Sequence, residues 1–208
     1  MRRNLVYALI LALSAGAAVH AVKFKSTWKA PDAGTESFAG KKVAALVIVK
    51  DEALRMSAEE ALVRQLEALG VQGEASYRLA PREVMQDKDK AKAWFEKIGV
   101  AGVVALRVVS ADKVTTYTPS MWTTGYYGSW WGYYGYTWGA VWSPPGSVDT
   151  DTILTVETLI FSVPRDKLLW AAVSESTNPK NVDTFMKDLV TKAVKEMKKQ
   201  GLAVKAGK

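Results

Sequence analysis

The sequence contains no cysteine, and its single histidine is His20. Without cysteine there is no disulfide, so the fold depends on its hydrophobic core. Residues 22–208 hold neither imidazole nor thiol, which removes Ser-His-Asp and Cys-His catalysis and nearly all zinc or redox-metal sites. We therefore predict no catalytic residues, no metal site and no cofactor, and we expect that the protein is not an enzyme.

Charge is absent from residues 5–19, which follow Arg2 and Arg3. A basic start, an apolar stretch and small residues before a cleavage point are typical of a secretory signal peptide. The alternative is an uncleaved anchor, but the apolar stretch is shorter than the roughly 20 residues that span a bilayer. We predict that residues 1–21 are a signal peptide and that the chain is periplasmic or extracellular, with outer-membrane association left open.

The basic surplus is modest once this segment is removed. Without Arg2 and Arg3, 26 of the 28 basic residues remain against 21 acidic ones, a net charge of +5. In an exported protein this favours anionic neighbours, such as lipid headgroups or cell-wall polymers, over nucleic acid. We expect no nucleic-acid partner, and a solvated lysine surface is the simpler explanation of the charge.

The remaining chain alternates strand and helix patterns. Apolar or alternating runs predict strands at residues 42–49, 71–79, 100–118, 149–163 and 168–176. Apolar residues at helical spacing predict helices at residues 51–70, 80–99 and 178–201, the first two ending at Gly70 and Gly99. Right-handed crossovers make the first three strands parallel, and the short turn after the fourth makes the last pair antiparallel.

The predicted fold class is therefore α/β. We predict a five-stranded mixed sheet of order 2-1-3-4-5, about three helices and a long aromatic-rich hairpin loop. Residues 22–40 are predicted to be an N-terminal arm and residues 204–208 a flexible tail. Residues 41–203 form a single domain in this prediction, with residues 119–147 inserted as the loop.

This loop is the least ordinary part of the sequence. Between Lys113 and Asp149 there is no charged residue, while five of the eight tryptophans and six of the eight tyrosines lie there. Residues 125–138 are a tandem seven-residue repeat, GYYGSWW followed by GYYGYTW. A helix with a glycine seam is disfavoured because each glycine costs about 1 kcal/mol relative to alanine. We predict a hairpin tip or an irregular loop.

Three roles for the aromatic side chains stay open. In the first, they fold back over the sheet or pack on one another. In the second, they contact a protein partner or a second copy of the chain. In the third, they stack on glycan such as peptidoglycan or lie at a membrane interface. A protein contact is the working hypothesis, with glycan or membrane contact as the alternative. The residues assigned to this contact are Trp122, Tyr126, Tyr127, Trp130, Trp131, Tyr133, Tyr134, Tyr136, Trp138 and Trp142.

Two groups of carboxylates offer candidate sites, and each also has a simpler explanation. Asp51 and Glu52, with Asp112 nearby, offer oxygen ligands to a hard cation, but acids in a first helical turn are explained by the helix dipole. Glu157 and Glu175 offer a carboxylate pair for hydrolysis, but solvated positions on a strand face explain both. We prefer the simpler explanation in each case.

The chain resembles a family of uncharacterised bacterial exported proteins, many of them lipoproteins. The resemblance rests on STWKAPDAG (residues 26–34), KDEALRMSAEEALVRQL (50–66), VVALRVV (103–109), the Tyr/Gly/Trp tract and residues 148–176. It implies an envelope location and no catalytic residues, although the lipobox cysteine of the family is missing here. The element order is more distantly similar to the TolB amino-terminal domain and to curli-secretion and penicillin-binding-protein-activating lipoproteins, which bind partners in envelope assemblies.

Overall fold

The computed structural model describes residues 22–111, 128–137 and 153–202. The predicted signal peptide and tail lie outside these ranges, as do residues 119–127 and 138–147 of the predicted loop. No helix within the described ranges combines the length and the apolar character that a membrane crossing requires.

The described ranges contain six strands and six helices. The strands are β1 (Lys23–Lys29), β2 (Lys42–Ile48), β3 (Gln72–Ala75), β4 (Gly102–Ser110), β5 (Ile153–Ser162) and β6 (Lys167–Thr177). The helices are α1 (Glu52–Glu67), α2 (Ser76–Leu79), α3 (Arg82–Met85), α4 (Lys88–Lys97), α5 (Trp130–Thr137) and α6 (Val182–Lys199), and a 3₁₀ turn covers Ala33–Thr35.

The six strands form one mixed sheet of order β1-β6-β5-β4-β2-β3. β2 is parallel to β3 and β4, and the remaining neighbours are antiparallel. The five predicted strands correspond to β2, β3, β4, β5 and β6 in chain order, and their order in the sheet is the predicted one. The predicted class, a mixed α/β sheet, is confirmed.

The prediction of five strands is wrong by one, because part of the predicted arm forms β1. This strand pairs with β6 at the edge of the sheet, and the ring of Phe24 meets that of Trp170 edge-on with 5.9 Å between centroids. Lysines at positions 23, 25 and 29 hide the strand pattern in the sequence. Lysine is a common way to protect an edge strand from unwanted pairing.

The second predicted strand, residues 71–79, is too long. β3 ends at Ala75 and the chain turns at once into α2. The buried carboxylate of Glu59 on α1 explains the turn: it accepts hydrogen bonds from the Ser76 hydroxyl at 2.7 Å and from the Tyr77 amide at 3.2 Å. It also accepts from the Val47 amide at 3.1 Å, so one side chain joins β2, α1 and α2.

About three helices were predicted, whereas the described ranges hold six. α1, α4 and α6 lie in the predicted helical segments, and Gly70 and Gly99 follow α1 and α4 with φ values of 75° and 70°. These left-handed values favour glycine, as expected at helix C-termini. α2 and α3 are single turns, and α5 lies inside the predicted loop.

Helices cover both faces of the sheet. α1 and α6 pack on one face, where their apolar residues join alternate residues of β2, β4 and β5. α4 and α5 pack on the other face, where Phe95 and the rings of α5 join the intervening strand residues. The alternation of side chains along each strand divides the core into these two layers.

The buried Glu59 carboxyl predicts a pH dependence of stability. Burial raises its pKa above the usual 4.5, although hydrogen bonds from Ser76, Val47 and Tyr77 oppose the shift. The folded state thus holds a proton that the unfolded state releases, so stability falls as pH rises above 4.5 until the folded carboxyl ionises. Urea unfolding at a series of pH values should show wild type losing stability relative to Glu59→Gln over this interval.

The variant Ser76→Ala sharpens the test. It removes a hydrogen bond that lowers the pKa of Glu59, so the decline in stability should extend to higher pH than in wild type. Parallel pH profiles for wild type, Glu59→Gln and Ser76→Ala would contradict the assignment.

Candidate functional site

The candidate site is built around α5, the part of the aromatic tract that the structure describes. The helix begins after Ser129, whose hydroxyl oxygen accepts a hydrogen bond from the Gly132 amide at 3.2 Å. The same hydroxyl donates to the Asp166 carboxylate at 2.9 Å, and the Trp131 amide donates to Asp166 at 3.2 Å. Ser129 is therefore an N-cap, and Asp166 places a negative charge at the positive end of the helix.

Asp166 lies in the turn that joins β5 to β6 and adopts a φ of 44°. Asparagine and aspartate tolerate this left-handed conformation better than other non-glycine residues. The turn thus links α5 to the end of the sheet, although Trp131 and Asp166 are 35 residues apart in the chain.

The aromatic side chains of α5 lie in the core. Trp130, Trp131, Tyr133 and Tyr134 are each at most 3% exposed. The Trp130 ring stacks on Phe95 of α4 at a centroid distance of 6.4 Å and contacts Phe161 of β5 at 5.2 Å. For residues 130–137 the prediction of an irregular loop is wrong, because these residues form a helix that covers the sheet.

Burial explains why a glycine-containing segment is helical. α5 carries only Gly132 and Gly135, which together cost about 2 kcal/mol in helix propensity. Burying about 150 Å² of one aromatic side chain contributes about 4 kcal/mol. Positions 130, 133 and 134 share one helical face, so the gain from their burial exceeds the cost of the glycines.

A buried ion pair lies under this helix. Arg107 of β4 and Glu157 of β5 are direct cross-strand partners, and Nε of Arg107 is 2.9 Å from Oε2 of Glu157. Their residues are 7% and 0% exposed. The solvated position preferred for Glu157 from the sequence is therefore wrong, because α5 covers this part of the strand.

Tyr133 connects α5 to the ion pair. Its hydroxyl donates to Oε2 of Glu157 at 3.1 Å. Burial raises the pKa of the Tyr133 hydroxyl well above its usual value, and the negative charge of Glu157 adds to this effect. Tyr133 therefore remains a neutral donor at physiological pH. Tyr134 also donates, to the backbone oxygen of Met85 at the end of α3.

Two indole groups of α5 are buried without hydrogen bonds. The Nε1 atoms of Trp130 and Trp131 have no partner within the described part of the chain. Each such group costs roughly 1–3 kcal/mol of desolvation. The net stability of the docked helix is therefore smaller than its apolar burial alone implies.

The structure places four of the ten predicted contact residues in the core: Trp130, Trp131, Tyr133 and Tyr134. A partner reaches these side chains only if α5 leaves the sheet. Tyr136 is on α5, but its side chain lies outside the described part. The other five also lie outside the described residues, and they are Trp122, Tyr126, Tyr127, Trp138 and Trp142.

The other acidic positions have structural roles. Asp51 accepts a hydrogen bond from the Leu54 amide at 2.8 Å and is the N-cap of α1, and Glu52 lies in the first turn, the end of the helix where the sequence predicted acids that complement the dipole. Glu52 is 3.5 Å from Arg55, and Asp112 lies outside the described residues. Glu175 pairs with Lys25 of β1 at 3.1 Å. Across the described ranges no three His, Cys, Asp or Glu side chains are arranged to hold a metal ion.

Sequence reasoning missed Ser129, Asp166 and Arg107. A signal for Arg107 exists, because it is a lone charge within an apolar run, and Glu157 is the only charged residue from position 152 to position 163 in the strand predicted to pair with it. Opposite charges in two paired apolar strands favour a cross-strand contact. Ser129 has the N-cap residue type, but the five surrounding glycines concealed the helix.

Comparison with known proteins gives remote likenesses. The sequence matches no family model and no curated protein. The dodecamer of a PelC variant from Paraburkholderia phytofirmans is 16% identical with a TM-score of 0.45, and the match covers 80% of this chain and 93% of that one. A second PelC dodecamer structure from the same organism is 14% identical with a TM-score of 0.45, and the match covers 82% of this chain and 91% of that one. Lipoprotein GNA1162 from Neisseria meningitidis is 10% identical with a TM-score of 0.41, covering 76% of this chain and 99% of its own.

These likenesses carry no conclusion about this chain. GNA1162 belongs by its name to the lipoproteins, the class that the sequence motifs resemble. The more distant similarity to the TolB amino-terminal domain stays a prediction.

The first prediction from this site concerns the anchor of α5. Asp166→Asn keeps the left-handed backbone but removes the charge that faces the helix N-terminus, which should cost about 1–2 kcal/mol of local stability. Chymotrypsin cleavage within residues 130–134 should accelerate about tenfold, since cleavage follows the population of the open form. Asp89→Asn on the exposed surface of α4 is the matched control, and equal cleavage rates in the two variants would contradict the anchor.

The second prediction concerns the buried ion pair. Arg107→Met removes the cation beside the buried carboxylate of Glu157 and should lower the free energy of unfolding by about 3–5 kcal/mol. The double variant Arg107→Met/Glu157→Met removes both charges and should recover at least half of this loss in urea unfolding. Lys25→Met, which breaks the partly exposed pair with Glu175, should cost less than about 1 kcal/mol. A double variant no more stable than Arg107→Met would contradict the buried-charge explanation.

Proposed function

We propose that this protein is a non-enzymatic binding or assembly module of the cell envelope, and that its aromatic tract contacts a protein partner. The observation that supports this most is the anchoring of α5, which fixes the middle of the tract to the sheet. Trp122, Tyr126, Tyr127, Trp138 and Trp142 flank this fixed segment in the sequence. Tyr and Trp are the residues that dominate the cores of protein interfaces.

Anchoring supports binding for an energetic reason. A tract of 35 residues between Lys113 and Asp149 is costly to order in a complex if it is held only at its two ends. Fixing α5 divides the tract into two shorter segments. In general, a residue close in sequence to a fixed helix has less conformational entropy to lose on binding than one in the middle of a long loop.

The exported location rests on the predicted signal peptide and on the resemblance to exported lipoproteins. The non-enzymatic assignment rests on the missing histidine and cysteine in residues 22–208. The carboxylates weighed for catalysis also support it, because Glu157 is bonded to Arg107 and Tyr133 and Glu175 is paired with Lys25.

Site-specific photocrosslinking in the native host tests the proposal. A benzophenone amino acid replaces Trp122, Tyr127 or Trp142 in turn, and Lys195, exposed on α6, is the control position. We expect discrete protein adducts from the three tract positions and none from Lys195. An adduct of twice the chain mass identifies a second copy as the partner, and a different mass identifies another protein.

The outcomes separate the alternatives. Adducts confined to muropeptides or to lipid would contradict a protein partner and favour the glycan or membrane role. Equal labelling from Lys195 and from the tract would contradict a specific contact. A variant with Trp122, Trp138 and Trp142 changed to serine should lose the adduct formed from Tyr127.

A further inference from the structure

A cavity of about 140 Å³ lies between the sheet and the helices α1 and α6, on the sheet face opposite α5. Val104 and Thr158 are part of its floor on β4 and β5. Leu62 of α1 and Ala193 of α6 contribute to its walls, and the exposed Ser37 lies at its rim. The cavity therefore has a buried end on the sheet and an end near solvent.

The lining is almost entirely apolar, and its polar side-chain groups are those of Glu36, Ser37 and Thr158 and the indole N–H of Trp170, which donates to Gln200 at 3.1 Å. The carboxylate of Glu36 is engaged outside the cavity, 3.4 Å from the ammonium of Lys41 and 3.7 Å from the guanidinium of Arg165. Among the described residues, no lysine or arginine contributes to the lining. An anionic ligand would therefore lose its hydration in an apolar cavity without a cation to compensate, which favours a neutral ligand.

Thr158 is the distinctive residue of the floor. It is 4% exposed, and its Oγ1 atom has no hydrogen-bond partner in the described part of the chain. Buried hydroxyls are normally paired, so an unpaired one needs an explanation. A buried water needs roughly two to four polar partners, and the floor offers this hydroxyl alone among its side chains. A ligand oxygen would satisfy it.

We propose that this cavity binds a small neutral aliphatic molecule, or the aliphatic end of a larger one, through apolar contacts and one hydrogen bond to the Thr158 hydroxyl. The volume sets the size of the buried part. An engineered apolar cavity of about 150 Å³ takes up benzene, so a group of about six carbon atoms fits here. The hydroxyl both donates and accepts, so an alcohol or an ester oxygen suits it.

Calorimetric titration of the purified protein with 1-hexanol, benzene and hexanoate tests the ligand class. We expect 1-hexanol and benzene to bind and hexanoate to bind more weakly than 1-hexanol. Thr158→Val keeps the side-chain shape and removes the hydrogen bond, so the dissociation constant of 1-hexanol should rise about fivefold while that of benzene is unchanged. No binding of either neutral probe to wild type overturns the proposal, and equal 1-hexanol affinity in Thr158→Val overturns the role of the hydroxyl.

A cavity-filling variant tests the location. Ala193→Leu places a larger side chain in the cavity and should abolish binding of both neutral probes without lowering the melting temperature. Lys195→Leu adds the same side chain on the exposed side of the same helix and should leave binding unchanged. If Ala193→Leu fails to fold, Val104→Ile adds one methyl group to the floor and should weaken binding of both probes. Wild-type affinity in the cavity-filling variant overturns the site.

Discussion

The contact between Arg107 and Glu157 fixes the register of β4 against β5, and both faces of the sheet depend on that register. Side chains alternate along a strand, so a shift of one residue would turn every side chain to the opposite face. Glu157 would then point toward the aliphatic layer under α1 and α6, and Thr158 would point toward α5. A charge without its partner in that layer is costly. The ion pair therefore excludes the shifted pairing, even if its own net contribution to stability is small.

The same interaction gives α5 a defined position. Aromatic side chains alone would favour burial without specifying an orientation, because apolar contacts are not directional. The Tyr133 hydroxyl must reach Glu157, while Ser129 must reach Asp166 at the far end of β5. These two directed contacts define the axial position and the rotation of the helix. Apolar burial then supplies the free energy, reduced by the indole groups of Trp130 and Trp131, which find no hydrogen-bond acceptor among the described residues.

Much of the sheet could be predicted because its signals are local. The apolar runs of β2 and β4, the alternation of β5 and the short turn before β6 give the strands and their order without knowledge of distant contacts. β1 and α5 could not be predicted in this way. The pattern of β1 is masked by lysines and depends on pairing with β6, and α5 carries poor helix formers whose burial decides their structure. For the site, the sequence shows where the aromatic residues are concentrated but not which side of the molecule they face. Four of these residues face the sheet because Asp166 and Glu157 hold α5 against it. Both acids lie more than twenty residues further along the chain than the α5 residues that they bind.

The two faces of the sheet are packed in different ways. One carries the helix of the aromatic tract, to which we assign the protein contact, and the other carries the cavity, to which we assign ligand binding. Under α5, large rings and an ion pair occupy the space, and directed bonds hold them. Under α1 and α6, aliphatic side chains leave a cavity lined by the Thr158 hydroxyl, which has no hydrogen-bond partner in the ranges that the structure describes. Glu157 and Thr158 are consecutive residues that face these two layers, so β5 is bonded to α5 and β4 through one side and lines the cavity with the other. A ligand in the cavity would therefore meet a floor already fixed by the aromatic face. Such preorganisation favours binding, because little of the protein has to be ordered when the ligand enters.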